Sequence, residues 1–419
     1  MSHLLDDILQ AQKRGEARGI PSICSAHPWV LKAVMQCAAR TGAFVLVEST
    51  CNQVNQFGGY TGMTPAKFVR FVRGISIENG LPPERLILGG DHLGPSPWQE
   101  RPAEHAMQKA ADMVRAYVQA GYTKIHLDAS MTLRDDDPSR PLDLELAARR
   151  TAWLAKAAEA AADPATAPRY VIGTEVPIPG GATAHEDGVR VTTVEDARRT
   201  LEVTREAFLC EGLEAAWERV IALVVQPGVE FGDDFVLDYQ PDAARDLARF
   251  SETISFVYEA HSTDYQTREN LRNLVRNHFA ILKVGPALTF VFREAVFALA
   301  MMESELFPAD VRSNIIQVLN DVMVRHPEHW KKYYSGAPAK RAFKRKFSLS
   351  DRSRHYWTRP EVQASLDKLL ANLGESPLPL GLVSQYLPIQ YKKIRDKELE
   401  MTPEAIVLDH IETVLSDYS

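Results

Sequence analysis

Short runs of apolar residues recur along residues 1–300, and longer segments with helical periodicity separate them. The runs are rich in β-branched and aromatic residues, which is typical of buried strands. Several of them end abruptly at a polar or ionisable residue. The pattern predicts eight strands, at residues 20–25, 43–48, 86–92, 124–128, 170–175, 220–226, 254–261 and 279–285.

The segments between these strands carry apolar residues at the spacing of amphipathic helices. They predict helices near residues 4–19, 28–41, 65–78, 102–120, 142–162, 193–211, 241–250 and from 288 onward. Strands that alternate with helices pair in parallel, and eight such units fit a closed (β/α)8 barrel. An open doubly wound sheet is the alternative, but its GxGxxG signature is absent after the first strand. We therefore predict a TIM barrel over residues 1–300.

The alternation stops after residue 300, and residues 301–419 show helical patterns only. We expect this second part to be an α-helical extension that packs on the barrel. Within it, residues 378–388 are apolar and interrupted by prolines, so we expect irregular chain there.

Composition narrows the class of protein. The chain has 419 residues and a formal net charge of −7, whereas nucleic-acid-binding domains are usually basic. The beginning of the sequence does not resemble a signal peptide, and no apolar stretch is long enough for a membrane span. The four cysteines show no CxxC spacing and are expected to be reduced thiols. These features predict a cytoplasmic globular protein without nucleic-acid or membrane partners.

In a barrel of parallel strands, the carboxyl ends of all strands meet at one rim, where the active sites of this architecture lie. The polar residues at or near the predicted ends are His27, Glu48, Asp91, His92, Asp128, Glu175, Gln226, His261, Asp264 and Lys283. Imidazoles and carboxylates together suit a divalent cation such as Zn²⁺ or Mn²⁺. The amide- and glycine-rich loop at residues 52–65, which includes Asn55, is also expected to contact a ligand.

The histidines also have structural interpretations. His92 and His261 could be core histidines that are paired with neighbouring carboxylates. His27 precedes a proline and could serve only in a turn.

The charged candidates are open to similar alternatives. Asp128, Glu175 and Asp264 could cap helices or bind backbone amides. Lys283 comes before the end of its strand, so its side chain could enter the barrel and pair with a carboxylate.

Several long segments carry a resemblance to a known family. They include Cys-Ser-Ala-His-Pro at 24–28, Gly-Gly-Asp-His-Leu-Gly-Pro at 89–95, Gly-Thr-Glu-Val-Pro at 173–177 and Glu-Ala-His-Ser-Thr-Asp-Tyr-Gln at 259–266. With further matches at 52–65, 224–230, 282–289 and 384–388, the chain resembles the accessory, non-catalytic subunits of tagatose-bisphosphate aldolase. Members of that family have often been labelled tagatose-6-phosphate kinases.

That family is in turn similar to the class II, zinc-dependent ketose-bisphosphate aldolases. The resemblance implies that Asp91 transfers a proton and that His92 and His261 are metal ligands. The middle histidine ligand of those aldolases has no match after the sixth strand, where Gln226 stands instead. Their phosphate-binding segment after the eighth strand could survive at residues 285–289, between Gly285 and Thr289.

An incomplete histidine set still leaves a possible metal site, because Glu48, Asp128 or Glu175 could complete the coordination. We therefore predict that the catalytic residues are Asp91, Glu175 and Asp128, and that the metal ligands are His92, His261 and Glu48. The predicted substrate-binding residues are His27, Asn55, Gln226, Asp264, Lys283, Gly285 and Thr289.

Two functions follow from this assignment. The first is a component of D-tagatose-1,6-bisphosphate aldolase that supports a catalytic subunit within an oligomer and retains a sugar-phosphate site. The second is a stand-alone, metal-dependent ketose or ketose-phosphate 4-epimerase. A kinase is disfavoured, because the sequence has neither a Gly-x-x-x-x-Gly-Lys motif nor a protein-kinase signature.

Overall fold

The computed structural model describes residues 3–173 and 189–418. Its strands are β1 (Ile20–Ile23), β2 (Val45–Thr50), β3 (Leu86–Leu93), β4 (Lys124–Leu127), β5 (Arg169–Ile172), β6 (Val220–Val224), β7 (Glu230–Phe231), β8 (Val236–Leu237), β9 (Val257–Ala260) and β10 (Phe279–Val284). Eight of them close into a parallel barrel in the order β1-β10-β9-β6-β5-β4-β3-β2. The predicted TIM barrel is confirmed.

Helices follow the barrel strands as expected for this architecture. They are α1 (Leu4–Lys13), α2 (Pro28–Thr41), α3 (Pro65–Glu78), α4 (Ala103–Gln119), α5 (Leu144–Glu159), α6 (Val194–Cys210), α7 (Glu214–Trp217), α8 (Arg245–Glu252), α9 (Arg268–Arg276) and α10 (Pro286–Leu306). Helix α1 precedes the first strand, and its Leu5 and Ile8 pack with apolar strand residues such as Leu46 and Ile87 in one buried cluster. The end of the barrel next to α1 is therefore apolar.

The C-terminal part consists of further helices. They are α11 (Ile315–Arg325), α12 (Pro338–Phe347), α13 (Pro360–Gly374), α14 (Leu380–Tyr386), α15 (Pro388–Arg395) and α16 (Pro403–Asp417). Helix α16 packs against α2 and α10, and α13 packs against α10 and α11. These contacts join the C-terminal helices to two helices of the barrel.

The segment 378–388 is helical, so the expectation of irregular chain there was wrong. Pro379 is the N-cap of α14, and Pro388 is the first residue of α15. Proline lacks the backbone N–H, but the first N–H groups of a helix have no intrahelical acceptor in any case. The two prolines therefore begin helices rather than interrupt them.

Two predicted strand ends, and one unpredicted strand pair, differ from the expectation. β2 continues to Thr50, so Glu48 lies inside the strand and is completely buried. β6 ends at Val224, which leaves Gln226 in the following turn. The antiparallel pair β7–β8 was not predicted, because two-residue strands carry too little periodicity to detect.

The cysteines and the helices bear on two further expectations. The four cysteines (Cys24, Cys37, Cys51 and Cys210) are free thiols. Within residues 3–173 and 189–418, no helix has the length and apolar character required to cross a bilayer.

Candidate functional site

A bulge in β3 turns two consecutive polar side chains toward the barrel mouth. The pairing of β3 with β4 shifts register between Gly90 and Leu93, and His92 adopts a left-handed backbone with φ 48°. The side chains of neighbouring residues in a regular strand point to opposite faces of the sheet, but a bulge can turn one of them to the same face as its neighbour. Asp91 and His92 consequently both line the same cavity. A non-glycine residue in this conformation is strained, which is common at functional sites.

Glycines make room for this arrangement. A Cβ at Gly89 would lie 2.7 Å from Cγ of Glu48, and a Cβ at Gly94 would overlap the backbone oxygen of Asp128. The chain thus needs glycine at both positions, one to admit a buried carboxylate and one to bring β3 against the end of β4.

The barrel interior below the mouth holds a buried ionic cluster. Lys124 Nζ lies 2.5 Å from Glu48 Oε1 and 2.6 Å from Glu259 Oε2. Lys283 Nζ lies 3.0 Å from Glu48 Oε2 and 3.2 Å from Glu259 Oε1, and it also pairs with Asp91. Buried charges are tolerated only when they are paired and hydrogen-bonded. Two ammonium groups therefore neutralise most of the charge of three carboxylates.

Three imidazoles form a triangle above this cluster. The ring centroids of His92, His126 and His261 are 4.9 to 5.3 Å apart. Imidazole nitrogens bound at ~2.0–2.1 Å to one tetrahedral ion would place the ring centroids roughly 5 Å apart. The spacing of the rings is therefore compatible with a shared metal.

Carboxylates orient these rings. His126 Nδ1 is 2.9 Å from Asp91 Oδ1, and His92 Nδ1 is 2.9 Å from Asp128 Oδ2. His126 Nε2 is buried and has no hydrogen-bond partner among residues 3–173 and 189–418. A carboxylate on one ring nitrogen with the other left free is the usual arrangement of metal-binding histidines.

The electrostatic environment distinguishes the three histidines. Burial lowers the pKa of His126, and burial with the Lys283 ammonium lowers the pKa of His261 to about 3. Burial also opposes the charged form of His92, but Asp91 and Asp128 outweigh it and raise the pKa of this imidazole. His126 and His261 are consequently in the neutral form that binds metals.

Asp91 and Lys283 stabilise each other's charged forms. Burial opposes the ionised form of Asp91, but His92 and Lys283 outweigh this effect and hold its pKa well below the usual range. Burial likewise opposes the charge of Lys283, and Asp91 and Glu259 raise its pKa well above the usual range.

Two overlapping sets of donor atoms within the described residues could hold a metal ion. The first comprises Asp91, His126, Glu259 and His261, whose candidate ligand atoms all lie within 4.8 Å of one another. Two imidazoles and two carboxylates suit Zn²⁺ or Mn²⁺, and the unpartnered His126 Nε2 is a free donor. A second set of Cys24, Glu48 and Asp91 overlaps the first at Asp91.

A cavity of about 820 Å³ opens above the imidazoles, and both parts of the chain line it. Its floor includes Asp91, His92, His261 and Lys283, all buried. Its outer wall comes from the C-terminal helical part, through Glu328, His329, Lys332, Tyr333, Arg352, Arg354 and His355.

Asp264 does not cap the helix that follows its own strand. Its Oδ1 accepts hydrogen bonds from the backbone N–H groups of Gly285, at 2.9 Å, and Ala287, at 2.8 Å, at the start of α10. The carboxylate is 3% exposed, and burial raises its pKa to about 6. Gly285 lines the cavity, but its N–H already has an acceptor.

Four other predicted residues lie away from the floor of the cavity. Asn55 bonds Cys51 O and accepts from the N–H groups of residues 57 and 59, so it shapes its own loop. Gln226 Oε1 accepts from the next turn, at residues 228 and 229. The ring centroids of His27 and Phe292 are 4.4 Å apart. Thr289 donates to the carboxylate of Asp351 at 2.6 Å. Glu175 lies outside the described residues.

Sequence reasoning missed Lys124, His126 and Glu259, because it considered only the last polar residue of each run. Lys124, His126 and Asp128 alternate along one strand, as do Glu259 and His261 along another. Residues two apart share a face of a strand, so this alternation was the available signal. No comparable pattern marks the cavity residues contributed by the C-terminal part.

The chain is similar along its whole length to known proteins. D-tagatose-1,6-bisphosphate aldolase subunit GatZ of Klebsiella pneumoniae is 52% identical over 416 residues, which cover 99% of this chain and 98% of that protein. The GatZ subunit of Salmonella dublin is 50% identical with the same coverage. A crystal structure from Sinorhizobium meliloti 1021, described as a probable tagatose 6 phosphate kinase, superposes with a TM-score of 0.88. It is 45% identical and covers 96% of this chain and 99% of its own.

A family model matches residues 5–419, which is nearly the whole chain. Its description is D-tagatose-1,6-bisphosphate aldolase subunit GatZ/KbaZ-like. The chain belongs to this GatZ/KbaZ-like family.

Proposed function

We propose that the chain is a component of a D-tagatose-1,6-bisphosphate aldolase and works beside a catalytic subunit. The observation that carries this proposal is the end-to-end similarity, at about half identity, to proteins named as the GatZ subunit of that enzyme. The barrel mouth adds a site suited to a sugar phosphate, since a large cavity meets buried imidazoles, carboxylates and ammonium groups.

A divalent metal is part of this proposal. His126 and His261 would hold it together with Asp91 and Glu259, and His92 lies beside both imidazoles. When bound, such an ion polarises a substrate carbonyl. Lys283 already contacts Asp91 and Glu259, so it would share these carboxylates with the ion.

The remaining groups have roles that follow from their contacts. We assign proton transfer to Asp91, which lies on the cavity floor and within hydrogen-bonding distance of His126. Because His92 and Lys283 hold its pKa well below the usual range, it would accept a proton rather than donate one. Asp128 orients His92 through the 2.9 Å contact with Nδ1 and is a positioning residue. Glu48 neutralises Lys124 and Lys283 and keeps both ammonium groups inside the barrel.

A stand-alone ketose or ketose-phosphate 4-epimerase is the second candidate. The feature that favours it is the number of ionisable groups at and just behind the floor, where His92 and its neighbours Asp128 and His126 are buried and shifted in pKa. Burying ionisable groups costs stability, so clusters of them with shifted pKa values are found mainly where catalysis requires them. The aldolase role remains the primary proposal, since it accounts for the similarity along the whole chain.

The test is an assay of D-tagatose 1,6-bisphosphate cleavage by a catalytic class II subunit of a GatZ-containing aldolase, with and without this chain. We expect the chain alone to cleave little and the mixture to cleave faster and more durably than the catalytic subunit alone. Unchanged activity of the mixture would contradict the aldolase role.

The same preparation separates the other functions. Isomerisation of D-tagatose 6-phosphate or D-tagatose by the chain alone would establish the epimerase. ATP consumption that depends on D-tagatose 6-phosphate would establish the kinase activity ascribed to the Sinorhizobium protein. We expect no ATP consumption. We also propose the cytoplasm as the compartment, because it maintains free thiols such as the four in this chain.

A further inference from the structure

The beginning of α10 is a position where backbone N–H groups could bind a phosphate, but an internal carboxylate already occupies it. Helix N-termini bind anions because their first N–H groups are free. Here Asp264 accepts from the N–H groups of Gly285 and Ala287. A substrate phosphate at the same place would meet a carboxylate, so the cavity needs another source of positive charge.

The wall contributed by the C-terminal part supplies this charge. Lys332, Arg352 and Arg354 line the same cavity as Asp91 and His261. Within the described residues, neither Arg352 nor Arg354 forms an ion pair with a carboxylate, although arginines of the protein surface such as Arg325 do. Glu328, the nearby acidic residue of this wall, is paired with Arg359 at 3.2 Å.

Arg352 is an unusual side chain for a wall that faces a cavity. It is 5% exposed, and its guanidinium lies 3.4 Å from the ring centroid of Tyr333. In the part of the chain that the structure describes, its Nε has no hydrogen-bond partner. Burial and the neighbouring Arg354 lower its pKa to about 10. A buried guanidinium without an anion is costly, and planar stacking presents its N–H groups in a fixed plane. The arrangement is one that an anion would complete.

Buried contacts fix the position of these arginines. Asp351 precedes them, adopts a left-handed backbone with φ 39°, and accepts from Thr289 Oγ1 at 2.6 Å and Ser353 Oγ at 2.6 Å. Arg354 donates to two backbone oxygens of its own turn, those of Ser350 and Asp351. The turn is therefore held against α10 rather than left free in solvent.

We propose that Arg352 and Arg354 form a phosphate subsite that binds the end of a phosphorylated ketose farthest from its reacting carbonyl. The carbonyl must reach Asp91 and the imidazoles at the buried floor, whereas the arginines lie in the outer wall beside the exposed Lys332. Guanidinium groups bind phosphate through charge-assisted, often bidentate, hydrogen bonds. The inference rests on the proposed function for the identity of the sugar, but the anion site itself does not depend on it.

The test is calorimetric titration of the full chain with D-tagatose 1,6-bisphosphate, D-tagatose and inorganic phosphate. Arg352→Gln and Arg354→Gln each remove one guanidinium, and Arg352→Lys keeps the charge without the planar fork. Arg325→Gln is the matched control, because it removes the same charge from an exposed pair outside the cavity. Thermal unfolding of every variant checks that the barrel is folded.

We expect each Gln variant to weaken bisphosphate binding roughly ten- to hundred-fold, as the loss of hydrogen bonds to a charged group predicts. Arg352→Lys should recover part of the loss, and binding of D-tagatose and the Arg325→Gln control should be unchanged. Unaltered bisphosphate binding in both folded Gln variants would overturn the inference and leave the proposed function standing. Arginine-dependent binding of inorganic phosphate without binding of either ketose would support the anion site and overturn the sugar-phosphate role. Absence of binding by all three ligands would overturn the inference, whereas the aldolase role would still be decided by the activation assay.

Discussion

At the scale of single residues, Asp264 has a large effect on the chemistry of the rim. Its carboxylate takes two N–H groups at the start of α10 and excludes other anions from them. Two hydrogen bonds from the backbone favour the ionised form, but burial is the larger effect and raises its pKa to about 6. The residue is therefore near the balance between neutral and charged forms in mildly acidic solution.

This balance predicts a pH dependence of stability. The folded-state pKa of about 6 exceeds the ordinary value of 3.8 for an aspartate. The folded protein therefore gains stability from the protonated carboxyl below about pH 4 and loses it as the pH rises through about 6. The difference corresponds to roughly 3 kcal/mol. Asp264→Asn keeps an acceptor oxygen but has no charge. We expect the free energy of unfolding of this variant to rise relative to the wild type across this pH interval.

Denaturant unfolding at several pH values measures this difference. Asp242→Asn is the control, because that carboxylate is exposed and its loss should leave the profile unchanged. Parallel profiles of wild type and Asp264→Asn would contradict the raised pKa.

At the scale of elements, the barrel was predictable and the local geometry of β3 was not. The alternation of apolar runs and helical segments extends over the whole barrel. Errors of two or three residues in the predicted end of a strand therefore did not change the predicted fold. The bulge that turns His92 inward depends on how β3 pairs with β4. The sequence of β3 alone does not reveal this pairing. His126 was missed for a related reason, since it stands inside its strand and not at the end.

The contact between β3 and β4 predicts an unequal effect of two glycine substitutions. Gly94→Ala would place a Cβ on the backbone oxygen of Asp128, whereas Gly74 lies within α3 with no atom near the added Cβ. We expect Gly94→Ala to reduce the free energy of unfolding by about 3 kcal/mol or more, or to prevent folding. Gly74→Ala should increase it by about 1 kcal/mol, as helix propensity predicts.

Thermal and denaturant unfolding of the two variants measure the difference. A Gly94→Ala protein as stable as the wild type would show that β3 and β4 do not approach as closely as described.

At the scale of the whole molecule, the C-terminal helices complete the cavity that the barrel begins. The floor could be inferred in part from strand ends, because one architecture sends all of them to one rim. The outer wall could not, because residues 328–355 have no strand periodicity and approach the rim only through tertiary packing. Asp351 is central to that packing, since it contacts Thr289 and lies 3.5 Å from the buried Arg293.

Removal of one member of this buried pair should therefore destabilise the protein. We expect Asp351→Ala to reduce the free energy of unfolding by about 3–5 kcal/mol, because it leaves Arg293 charged, buried and unpaired. The double variant Asp351→Ala, Arg293→Met should recover much of the loss, since both charges are then gone. Equal stability of the single variant and the wild type would show that the pair does not hold the wall in place.

Strands β3, β4 and β9 bring the candidate ligand atoms of Asp91, His126, Glu259 and His261 within 4.8 Å of one another, and we propose that they form one divalent-metal site. Elemental analysis of the purified full chain, after incubation with Zn²⁺ or Mn²⁺ and removal of free ion, tests it most directly. We expect about one ion per chain in the wild type and in His105→Ala, whose imidazole is exposed. His126→Ala should remain folded and lose the ion. A wild type that retains no ion, or a folded His126→Ala variant that retains the wild-type amount, would contradict the claim.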